Sequence, residues 1–123
     1  MKDKKGEGDL NTIIGKGTTF DGNLMIQGGL RIDGTVKGKV SGADTISIGE
    51  DGKVEADLDA KVIIVGGKVM GNIAAKEKVE LQSNSIINGD LTTRNLVVEE
   101  GAVFHGKCNM KEEKLNQKKN VDN

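Results

Sequence analysis

The chain has 123 residues, 18 basic and 19 acidic side chains, 18 Gly, two Phe, one Cys and no Trp, Tyr or Pro. That length holds one domain, and so few aromatics argue against a conventional globular core, which draws much of its bulk from rings. Balanced charge without an aromatic platform excludes a nucleic-acid surface, and no apolar run approaches the roughly 18 residues that span a bilayer.

The opening, Met1 to Asn11, reads as a flexible polar tail; its first nine residues are charge-balanced and lack the apolar core of a signal peptide. Thr12-Ile13-Ile14 then reads as a short strand. At Phe20-Asp21-Gly22-Asn23-Leu24 a five-residue cassette begins, in the order apolar, polar, small, polar, apolar. It returns as Val36-Lys37-Gly38-Lys39-Val40, Val54-Glu55-Ala56-Asp57-Leu58 and Val69-Met70-Gly71-Asn72-Ile73. The last copies are Ile87-Asn88-Gly89-Asp90-Leu91 and Phe104-His105-Gly106-Lys107-Cys108. Their central small residues are separated by steps of 16, 18, 15, 18 and 17.

A short repeat of this kind, made of period-two alternation, is the signature of a solenoid with stacked turns. Alternation sends the first, third and fifth cassette positions inward and the second and fourth outward. The small central column is then a steric requirement, leaving room where the walls of a narrow core approach. A second apolar stretch follows each of the first five cassettes: Leu30/Ile32, Ile46/Ile48, Val62/Ile64, Val79/Leu81 and Leu96/Val98. Turn formers such as Gly28-Gly29, Asp51-Gly52, Gly66-Gly67 and Ser83-Asn84 supply corners between them. Central glycines and β-branched neighbours disfavour an α-solenoid. The expected fold is an all-β, single-domain parallel β-helix of about six turns over residues 12–108, with a flexible polar tail at 109–123. The wandering steps, unlike strict hexapeptides, and the usual hand of parallel crossovers favour a right-handed coil.

A solenoid has two open ends where strand edges and the apolar core meet solvent, and soluble monomers cap them. No amphipathic helix long enough to serve as a lid flanks the repeat, so the ends are expected to meet each other and polymerise. Candidate end-face residues are Val98, Val103, Phe104 and Cys108 at the C-terminal end, and Ile13, Ile14 and Phe20 at the N-terminal end.

The segments from Ile14 to Leu24, from Leu30 to Gly34 and from Val97 to Gly106 resemble those of the bactofilins, a family of bacterial polymer-forming cytoskeletal proteins. The resemblance spans residues 12–108. It implies a right-handed, roughly triangular β-helix that forms end-to-end filaments without nucleotide. It also implies a cytoplasmic scaffold at the inner face of the membrane, serving cell shape, wall synthesis or the placing of partners. Those partners would be further copies, paralogues, and membrane-associated or wall-modifying proteins. Phe104 matches the position implicated in polymer contact. Membrane contact in the family is assigned to the N-terminal tail, and this short polar tail departs from a strong targeting sequence.

Signs of other chemistry are sparse. No Gly-x-x-x-x-Gly-Lys-Ser/Thr phosphate cradle occurs, and Gly66-Gly67-Lys68 reads as a turn. His105 is the sole histidine and points outward, too little for a multi-histidine zinc site. Cys108 is expected to pack inward as a small hydrophobe. No cofactor, metal or catalytic residue is therefore assigned. Two other readings stay open: a β-helix acyltransferase-like enzyme and a monomeric adaptor whose tails cap its ends.

Overall fold

A computed structural model describes residues 10–110, all of whose regular elements are β-strands. The strands are β1 (Leu10–Ile14), β2 (Thr19–Met25), β3 (Gly29–Ile32), β4 (Thr35–Ile48) and β5 (Lys53–Val65). They continue as β6 (Lys68–Met70), β7 (Ile73–Leu81), β8 (Ile86–Thr93), β9 (Asn95–Val98) and β10 (Val103–Met110). Every pairing is parallel and joins successive turns, which makes a β-solenoid of about six turns. Parallel neighbours lie about 4.8 Å apart, so each turn adds one such layer to a rod.

The pairings fall into three stacks, which are the sides of the rod. One carries the cassettes: Phe20 pairs with Val36, Val36 with Val54, Val54 with Val69, Val69 with Ile87 and Ile87 with Phe104. A second carries the other apolar stretches, from Ile14 over Ile32, Ile48, Val65 and Leu81 to Val98. The third is short and small: Ala43 pairs with Ala60, and Ala60 with Ala75. The core is aliphatic throughout, with Val36, Val54, Val69 and Ile87 fully buried on the cassette side. All twelve residues at the second and fourth cassette positions are exposed, as the alternation requires.

The corners account for the uneven step. Four of them, 15–18, 49–52, 82–85 and 99–102, are longer and closed by a turn bond, as where the Gly52 N–H donates to the Gly49 carbonyl at 2.9 Å. Between the first two and the next lie the tight corners Asp33-Gly34 and Gly66-Gly67. The long corners protrude past the tight ones, so Lys16 reaches Asp51 at 3.5 Å across an intervening turn. Both groups are well exposed, and the pair adds little stability.

Two expectations are corrected. In the run Val62-Ile63-Ile64-Val65 it is Ile63 and Val65 that are buried, while Val62 and Ile64 are half-exposed. Four consecutive apolar residues carry no alternation, and stacking of Ile63 on Ile46 and Val65 on Ile48 sets the face. The glycine column is required for a different reason as well. At Gly38 and Gly89 φ is +111° and +139°, and an added Cβ would run into the carbonyl oxygen of Gly22 or Gly71 in the preceding turn. The obstacle is backbone along the rod axis, not a facing core wall.

Candidate assembly site at the ends of the rod

In the inner turns each strand has a neighbour on both edges. At the ends this fails among the described residues: β1 pairs only with β3 and β2 only with β4, while β9 pairs only with β7 and β10 only with β8. The outer edge of each terminal strand therefore has no strand partner among the described residues and, beside the cross-section of an apolar core, is a template for another strand.

Of the residues expected at the N-terminal end, Ile14 is buried at 7% exposure and Phe20 is half-buried against the core. Ile13 is 60% exposed and in register with Arg31, which puts it on the outer surface of the rod. Leu24 is half-buried, and Ile26 closes the third side at 8% exposure.

The C-terminal end is more open. Phe104 stacks on Ile87 and is half-buried against the core, with nothing of the described chain beyond it. Val98 stacks on Leu81 and is 53% exposed. Cys108 stacks on Leu91 in an inward column, but it is exposed, with no turn beyond it among the described residues. This corrects the expectation of a packed thiol. Burial against the turn below still pushes its thiol above the usual range, so it remains protonated near neutral pH. Val103 is in register with Ile86 and Lys68, an outward ladder, so it belongs to the rim and not to the end of the core.

Sequence reading missed Met110. It pairs with buried Thr93, is 48% exposed, and holds its Sδ 3.9 Å from the Cys108 sulfur. The signal was available in the period-two continuation from Phe104 through Gly106 and Cys108 to position 110.

Away from the ends, His105 is exposed in the outward ladder next to Asn88. No group of three or more His, Cys, Asp or Glu among the described residues is placed to hold a metal ion. A groove of about 270 Å³ on the cassette side is lined by Lys53, Glu55, Lys68, Met70, Ile86 and Asn88. It lies over the shortest turn, beside the tight corner Gly66-Gly67. No helix among the described residues is long and apolar enough to cross a membrane.

Comparison with known proteins identifies relatives over the whole of the repeat. The family model Bactofilin, described as polymer-forming cytoskeletal, matches residues 12–109. The chain is 37% identical over 100 residues to Bactofilin BacO of Myxococcus xanthus (strain DK1622), covering 81% of this chain and 79% of that protein. It is 38% identical over 98 residues to Bactofilin BacN of the same organism, covering 80% and 87%. Against Bactofilin BacP it is 33% identical over 100 residues, 81% of this chain but 42% of that longer protein. No solved structure matches. A parallel solenoid with open ends, matched by this family model along nearly all its described length, belongs to the bactofilin family of polymer-forming cytoskeletal proteins.

Proposed function

We propose that this chain is a non-enzymatic scaffold that assembles end to end into filaments without nucleotide or metal. The observation that supports this reading is the C-terminal end. Val98, Phe104 and Cys108 terminate the inward columns there beside a strand edge that no described strand pairs. A second rod placed on that end satisfies both needs together, continuing the hydrogen-bond ladder and removing apolar surface from water. Binding by stacking calls for no phosphate cradle, and the sequence contains none.

In this proposal residues 12–108 are the assembling domain, and Phe104 is the central contact of its C-terminal end. Ile14 and Phe20 sit at the opposite end. Of the expected tails 1–11 and 109–123, residues 1–9 and 111–123 lie outside the described residues, whereas Leu10 and Asn11 belong to β1 and Asn109 and Met110 extend β10 beside Thr92 and Thr93. The same proposal places the polymer in the cytoplasm, on the inner side of the membrane, where it organises cell shape, wall synthesis or partner position. Paralogues are further candidate partners, since three bactofilins of one organism are among its relatives.

Negative-stain microscopy and sedimentation of the purified full chain test the mechanism. Filaments and an equal pelleted fraction are expected with and without ATP, GTP, magnesium or EDTA. A dispersed protein under all conditions, or a requirement for any of these additives, overturns it.

A further inference from the structure

The third side of the rod is lined inward by small residues. Ala43, Ala60 and Ala75 stack in order, and the pairing of Ala74 with Thr92 brings Thr93 next in the same column. All four are buried. Met110, paired with Thr93, ends that column with a far larger side chain. An interior position bounded by alanines has no space for methionine without overpacking. In the last described turn the side chain is half exposed. Its Sδ lies 3.9 Å from the sulfur of Cys108, the neighbour two residues back on the same face of β10. Each side of the rod therefore ends in an uncovered apolar group: Val98 on one, Phe104 with Cys108 on the next, and Met110 on the third.

We propose that Met110 is a contact residue of the polymer, seated on a second copy of this chain, so that the C-terminal contact grips all three sides of the rod and does not pivot on Phe104 alone. This rests on the end-to-end reading above. The occupant is a second copy because the patch adjoins an edge of β10, Val103–Met110, that no described strand pairs over its whole length. A strand edge and a three-sided apolar cross-section together match the end of another such rod. Methionine suits the position, since its unbranched, polarisable chain adapts to a surface that forms only on assembly. Met110 also lies just beyond the span matched by the family model, 12–109, so the assignment comes from its place in the structure.

The experiment compares wild type, Met110→Asp and Met110→Leu as full chains, sedimented over a range of protein concentrations. Thermal melts of Met110→Asp are taken in the dispersed Phe104→Arg background. Met110→Asp is expected to raise the concentration of unassembled protein at steady state about tenfold or more. Met110→Leu should stay near wild type, and the melt in the dispersed background should not move. Asn109→Ser, on the exposed face of the same strand, should assemble normally. An unchanged unassembled concentration for Met110→Asp, with Phe104→Arg defective, overturns the three-sided contact and leaves the filament reading intact. A lowered melt in the dispersed background also overturns it, because Met110 would then be covered by its own chain. If wild type itself never assembles, the end-to-end reading fails and this inference falls with it.

Discussion

The two ends of the rod are built from similar residues and bury them differently. Each has a phenylalanine at the first cassette position, Phe20 or Phe104, and each is half-buried against the core. The aliphatic columns beside them diverge. Ile14 and Ile26 are covered at the N-terminal end, whereas Val98 and Met110 at the C-terminal end are about half exposed. Hydrophobicity is therefore not what separates the ends. The N-terminal end has more of its aliphatic side chains buried, so in the proposed assembly the C-terminal end has more to gain from a partner. In the proposed filament the last turn would therefore contribute most of the assembly free energy.

The strongest way to break the comparison is Phe104→Arg. Full burial of a phenylalanine ring contributes about 1.5–3 kcal/mol, and a filament repeats that contact at every junction, while a guanidinium there would be desolvated. The expected product is a small soluble species with wild-type β circular dichroism and no filaments by microscopy. Normal filaments would remove the C-terminal end from the contact; an unfolded variant would make Phe104 ordinary core.

Gly89→Leu probes a turn that belongs to neither end. It places a side chain at φ +139° against the Gly71 carbonyl, so strain and overpacking together should cost about 2–4 kcal/mol in chemical denaturation. Asp90→Leu, one residue along on the exposed face, should be nearly neutral. Equal tolerance at both positions would contradict the stacked-glycine geometry.

Matched serine substitutions sharpen the contrast between the ends with the smallest changes. Ile14→Ser removes a buried aliphatic group and should lower the stability of dispersed protein by about 2 kcal/mol. Val98→Ser should shift that stability by less than about 0.5 kcal/mol, yet reduce the pelleted fraction. Measured in the Phe104→Arg background for stability and in wild type for assembly, a reversed pattern would show that the N-terminal end is the open one.

Most of the solenoid was legible in the sequence because period-two alternation and a recurring small residue are local properties of the chain. Those features alone determined parallel stacked turns, the fully exposed second and fourth cassette positions and the inward first and fifth. Four matters needed tertiary structure. The run from Val62 to Val65 has no alternation to read, so its face was decided by the turns stacked on it. The glycine column looked like a narrow core, but its obstacle is a carbonyl oxygen contributed by residues one turn earlier. Cys108 has the pattern of a core residue and the exposure of a surface one, because burial in a solenoid depends on the next turn and none follows among the described residues. Met110 completes the open end for the same reason: a pattern specifies the side to which a residue points, while only the stack decides whether anything lies above it.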